Sequence, residues 1–267
     1  MHPSSHRFSI LDLLIRAAAA LGQVVICAVA MVTGAVTLAQ DAPDLRGAVE
    51  KGFAALDRGD AAGAIVAADA IVKDHKDEPA AWRSAGDIYL RAGEAKRSLP
   101  LFRRYIERYP DREPDLWQYG IALAFAGEYE AGRKLFELHR TVNPNDVENA
   151  LWHFYCVAKA SSPEAASRLI LPAPGDRRVP MDLLLKMYRG EADEAAVRKE
   201  VDALPAGSAQ SEMANFYAEL YLAMYHDAMG ARTEALKHAA KAGTAKEVNY
   251  MTDIGRVYDR LLRKAAP

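Results

Sequence analysis

At 267 residues the chain is long enough for one or two compact domains or a single solenoid. Apolar residues make up 51% and charged residues 26%, the balance of an ordinary helical globular protein. The net charge of −2, with acids and bases interleaved, excludes a dedicated polyanion binder, so no nucleic-acid partner is expected. Only Cys27 and Cys156 are present, which leaves the body of the chain without a disulfide framework.

The first 16 residues carry His2, His6, Arg7 and Arg16 against one acid, Asp12. Ala17 to Ala39 then run 23 residues without a charge and end Thr37-Leu38-Ala39 before Gln40-Asp41. A basic start, an apolar run and a small-residue exit are expected of a secretory signal cleaved after Ala39. The same run, as a helix, is roughly 35 Å long and would cross a bilayer, so an uncleaved anchor stands beside it. Val25-Ile26 ahead of Cys27 do not make a lipidation site. Either reading exports the body, giving a periplasmic protein that touches membrane only if the segment stays attached.

Asp41 to Asp44 lead into a 34-residue grid. Two copies are clear. Trp82-x2-Ala85-Gly86-x2-Tyr89, Gly93, Ser98-x3-Phe102 and Pro110 are answered by Leu116-x2-Tyr119-Gly120-x2-Leu123, Gly127, Gly132-x3-Phe136 and Pro144. Gly86 and Gly120 fall inside a helix, where glycine costs about 1 kcal/mol against alanine, so a close approach of the partner helix is predicted there. Gly93 and Gly127 are predicted left-handed helix ends, and Pro110 and Pro144 are predicted to stop each second helix. The grid runs back to an eroded copy from Leu45, with Gly52, Gly59 and Ala64-x3-Ala68. It runs forward to a degenerate copy from Val147, with His153-Phe154, Val157 and Ala166-x3-Ile170, whose second helix Ser161-x-x-Glu164 would cap.

This spacing resembles the tetratricopeptide (TPR) pattern W-x2-L-G-x2-Y…A-x3-F…P. The resemblance implies an all-α solenoid of helical hairpins, with repeats starting near residues 45, 79, 113 and 147 and ending at 171. Each hairpin buries its apolar face only against its neighbours.

Leu171 to Pro180 hold three prolines and a glycine, a loop predicted to join two stacks. Residues 181–267 then read as further helical pairs, Met181–Arg189 with Glu194–Leu204 and Glu212–Met229 with Arg232–Ala242, the second turning at Gly230. Ala235-x3-Ala239 repeats the TPR spacing. Thr244-x-x-Glu247 is predicted to open a final capping helix with Met251, Ile254, Tyr258 and Leu261 on one stripe and Val257 and Leu262 beside it.

Leu151-Trp-His-Phe-Tyr155 and Asn215 to Ala223 before Gly230 are similar to bacterial envelope TPR proteins of the NlpI lipoprotein type. That resemblance covers roughly residues 45–262. It implies a dimerising periplasmic adaptor that brings proteases and cell-wall hydrolases to their targets, and it carries no catalytic residue over. The missing lipidation site departs from it.

The sequence holds no nucleophile elbow, phosphate loop, H-E-x-x-H or paired-cysteine zinc spacing, so no enzyme, cofactor or metal is expected. His153 takes a packing position of the grid, and the neighbouring Cys156 has no evident third group to complete a catalytic set. The TPR resemblance instead implies a concave groove on the first helices. It is lined by Val49 and Phe53, then Arg83, Asp87 and Arg91, then Trp117, Ile121 and Phe125, then Leu151, Tyr155 and Lys159. Aromatics with arginine suit a protein segment with apolar anchors and some acidic character. Helices folded back from the C-terminal half could pack there instead. The expected function is a non-enzymatic periplasmic scaffold, with a membrane-anchored assembly subunit as the alternative.

Overall fold

The computed structural model describes residues 44–264. The signal or anchor segment lies outside the described residues. From Leu45 onward the chain forms its own unit, and among the described residues the regular structure is entirely helical. Four hairpins come first: α1 (Leu45–Asp57) with α2 (Ala61–Asp74), α3 (Pro79–Ala92) with α4 (Ala95–Arg108), α5 (Trp117–Ala126) with α6 (Tyr129–His139), and α7 (Val147–Ala160) with α8 (Pro163–Leu169). The two helices of each hairpin pack on each other and each hairpin packs on the next, which is the TPR solenoid expected from the spacing.

The glycine pattern has a steric cause. A Cβ on Gly86 would stand 3.0 Å from the Phe102 ring, and one on Gly120 2.7 Å from the Phe136 ring. The second helix thus seats its phenylalanine on a notch in the first, and both rings are fully buried. Gly93 and Gly127 take φ of +97° and +83° and close α3 and α5, where a side chain would be strained. Gly120→Ala should destabilise the fold by about 1–2 kcal/mol, because crowding of the ring outweighs the gain in helix propensity. A thermal melt at or above the wild-type midpoint would sink that account.

Elsewhere the boundaries depart from the grid. Residues 110–115 coil into a 3-10 turn, so α5 starts at Trp117 rather than near 113 and is only 10 residues long. Pro114 lies inside that turn. Pro144 does not stop α6, which already ends at His139; the His139 ring is tied to the Pro114 carbonyl at 2.7 Å. The cap of α8 is Ser162 rather than Ser161, its hydroxyl accepting from Ala165 N. Thr244 closes a helix instead of opening one, donating its hydroxyl to Lys241 O. The last helix begins later, where Asn249 and Thr252 exchange side-chain to backbone bonds at 3.0 Å. A residue frame that matches S/T-x-x-E is therefore less informative than the amides left free at the true helix start.

Beyond the loop come α9 (Met181–Tyr188) with α10 (Glu194–Asp202), α11 (Ala209–Ala228) with α12 (Arg232–Gly243), and α13 (Tyr250–Lys264). The core does not divide at the loop. One apolar cluster runs from Leu90 to Leu262, including Ala173 and Met181, while a smaller one joins α1, α2 and α3 through Ala55, Ile71, Ala85 and Ile88. α9 and α11 both pack on α7, and α13 packs on α12 and on α3. Arg178 fastens the loop itself: its guanidinium meets Asp146 at 3.0 Å, Asp176 at 2.6 Å and Glu148, beneath the Tyr217 ring. Among the described residues no helix is long and apolar enough to cross a membrane.

Candidate functional site

The first helices of the hairpins present the predicted groove residues on a common face, because positions four apart share one side of a helix. On α3 these are Arg83, Asp87 and Arg91; on α5 Trp117, Ile121 and Phe125; on α7 Leu151, Tyr155 and Lys159; on α1 Val49 and Phe53. Along that face runs α13, the chain's own last helix.

Its contacts are specific. The Tyr250 hydroxyl donates to Asp87 at 2.6 Å, and its ring meets Trp117 edge-on with centroids 4.6 Å apart. Arg91 forms an ion pair with Asp253 at 2.8 Å, its guanidinium flanked by the Phe53 and Tyr250 rings at 5.2 and 5.1 Å. Further along, Tyr258 stacks on Phe125 at 5.9 Å and meets Tyr155 edge-on. Tyr155 and Tyr258 both donate to Asp227 of α11, at 2.7 and 3.0 Å, and Lys159 reaches the same carboxylate at 3.2 Å. Burial pushes the Asp87 carboxyl up, with the Tyr250 hydrogen bond and Arg91 pulling back. Burial likewise raises the Tyr155, Tyr250 and Tyr258 hydroxyls well above the usual tyrosine range, so they act as donors.

The structure thus brings Asp87, Arg91, Trp117, Phe125 and Tyr155 together around α13, with Phe53 joining through Arg91. Ile121 and Leu151 are buried beneath them, Val49 is half-buried, and Arg83 and Lys159 remain exposed. The stripe read for the last helix holds for Met251, Ile254, Val257, Tyr258 and Leu262, all buried, while Leu261 is half-buried. What the sequence reading missed are the polar partners Tyr250, Asp253 and Asp227. A signal existed for one of them: Asp253 sits between Met251 and Ile254, on the flank of an apolar stripe where an acid needs a cation opposite.

Three clefts border this arrangement. One of about 310 Å³ lies beside α13 between Trp117, Trp152, Asn149 and Tyr250. A second of about 440 Å³ is framed by Phe125, Tyr129, Lys159 and Tyr258. The third, about 580 Å³, has no α13 residue in its lining and is formed by Glu78, Arg83, Tyr105, Tyr109 and Arg112. Two arginines and two tyrosines give that cleft the chemistry to hold an acidic, partly apolar segment.

Neither His153 nor Cys156 lines any of these three clefts. Burial drives the Cys156 thiol far up, and its sulfur lies against Gly132, where a Cβ would stand 2.9 Å away. Burial lowers the His153 ring, which bonds Glu137 at 3.2 Å. A thiol held protonated and walled off has no nucleophile to offer.

No known family model and no curated protein matches the chain. Among solved structures it is similar to a tetratricopeptide repeat protein from Parabacteroides merdae, at 14% identity, a TM-score of 0.48, and coverage of 84% of this chain and 86% of that one.

Proposed function

We propose that this protein is a non-enzymatic scaffold, exported to the periplasm, that holds other envelope proteins, with proteases and cell-wall hydrolases as the partner class and self-association as a second mode. The observation that carries the reading is the grip of the array on α13: Trp117, Phe125, Tyr155 and Arg91 clasp a helix as an interface clasps a partner segment. With that face engaged internally, the partner segment docks in the Arg83 cleft, where Arg83, Arg112, Tyr105 and Tyr109 suit an acidic stretch. The uncharged run from Ala17 to Ala39 supports export and also favours a second reading, an anchored subunit of an envelope assembly.

Affinity capture from envelope extract tests the reading, with the wild-type chain beside Arg83→Glu/Arg112→Glu. Both arginines are exposed, so the double variant should melt within about ±0.5 kcal/mol of wild type for each change. Loss of a defined protease or hydrolase from the variant alone supports the scaffold and places its site; equal capture by both removes the cleft from the argument. The N-terminus of the mature protein separates the two readings, Gln40 for the soluble scaffold and Met1 in the membrane fraction for the anchored one.

A further inference from the structure

We propose that Glu194, His226 and His238 form a binding site for a divalent transition metal, with zinc the best match to the donor set. The three come from three helices, the first residue of α10, the last turn of α11 and the middle of α12. Their ligand atoms all lie within 4.8 Å of one another. Glu194 Oε2 is 3.3 Å from His226 Nε2, and Glu194 Oε1 is 3.5 Å from His238 Nε2. Zinc bonds of about 2.0–2.1 Å at tetrahedral angles put neighbouring donors roughly 3.3–3.4 Å apart. The two imidazoles are parallel within 5° and their centroids are 5.3 Å apart.

Polar contacts around the site prepare the ligands. His238 Nδ1 donates to Glu219 Oε2 at 2.7 Å, which leaves the Nε2 lone pair facing Glu194. A carboxylate behind a histidine is the arrangement that orients metal-bound imidazoles and raises their basicity. It also creates a conflict that needs an occupant. A lone pair on His238 Nε2 opposite a carboxylate oxygen is repulsive unless a metal ion or a second proton lies between them. Arg198 faces the same group: it pairs with Glu219 at 2.8 Å and approaches Glu194 only to 3.5 Å, too far for a good hydrogen bond. Its Nη2 also stands 3.2 Å from His238 Nδ1, and Lys241 reaches Glu219 at 3.3 Å. These cations crowd the Glu219 side, and a metal would share Glu194 with Arg198 alone. Three protein ligands with Glu194 and His226 part-exposed leave a fourth position for water. The metal would tie α10 to the α11–α12 hairpin. The ligands are invisible as a motif because Glu194 and His226 stand 32 residues apart.

The test is zinc titration of the untagged, metal-stripped full chain, compared with Glu194→Gln and His226→Gln. Both residues are part-exposed, so both variants should fold, and Glu194→Gln carries the test alone if the other does not. Wild type should bind one more equivalent than either variant. Its melting midpoint should rise by roughly 5–10 °C at a hundredfold excess over Kd. Each variant should bind at least about tenfold more weakly. Cobalt should give visible absorption bands with wild type only, and magnesium should do nothing. A wild type that binds no zinc overturns the proposal. So does an unchanged isotherm in Glu194→Gln, which would place the zinc elsewhere, for instance on His2 and His6.

Discussion

Replacing Arg178 by alanine should cost about 2–3 kcal/mol at neutral pH and lower the melting midpoint by roughly 5–10 °C. The guanidinium serves Asp146, Glu148 and Asp176, and without it three carboxylates confront one another with no cation among them. Removing one partner of a fully buried pair costs about 3–5 kcal/mol; Arg178 is 42% exposed, so solvent screening takes the value lower. The pH dependence has a definite sign. Burial holds the Glu148 and Asp146 carboxyls above their usual values even with Arg178 present. A carboxyl raised in the folded state binds its proton there first, so its charge destabilises the fold at high pH and is relieved on acidification. Asp176 is the opposite case: against burial, hydrogen bonds from Arg178 lower it, and that stability is present above its unfolded value of about 4 and lost as pH falls through the folded value. The raised carboxyls make the gap between wild type and variant largest near pH 7 and smaller toward pH 4, and the loss of the Asp176 contribution narrows it further below pH 4. Denaturant melts across that range decide the matter, and a gap independent of pH would remove the cluster as its cause.

Arg91→Glu should be more damaging still, by about 3–5 kcal/mol, although the position reads as a groove residue on the repeat grid. Its side chain is only 10% exposed and its partner Asp253 only 6%. The variant buries two like charges between α3 and α13. Hydrogen exchange should then accelerate across residues 250–264 and much less in α5 and α6. Arg91→Glu combined with Asp253→Arg should recover part of the loss, whereas Arg83→Glu should be nearly silent. An Arg91→Glu protein with wild-type protection of α13 would mean that the helix is held by its apolar stripe alone.

The contrast between those two arginines shows what the sequence could and could not reveal. Gly86, Gly120, Phe102 and Phe136 were legible because notch and ring lie within one hairpin, 16 residues apart at a fixed spacing. The left-handed ends at Gly93 and Gly127 were legible for the same reason: the constraint is local. Helix boundaries near Pro114 and Thr244 were not, since they depend on which amides remain unpaired once neighbours are packed. The shared face of the first helices was legible, and helices folded back onto it were one reading, but the residues that meet there were not. Tyr250 and Asp253 meet Asp87 and Arg91 from more than 160 residues away, and no periodicity encodes a contact at that range. The same holds for Tyr155 and Lys159, which meet at Asp227 across the loop.

A row of hairpins touching only its neighbours could fold from either end and fray one unit at a time. The return of α13 onto α3 turns that row into a closed circuit. Contacts spanning 162 and 163 residues raise the mean loop that must close before the native state is reached, which slows folding and couples the ends. A chain emerging from its N-terminus cannot complete the second hairpin's inner surface until the last helix is free. Until then Trp117, Phe125 and the Arg91 face stay open to solvent. The final 15-residue helix is therefore the latch of the molecule, and its loss would leave a soft, adhesive array rather than a slightly shorter one.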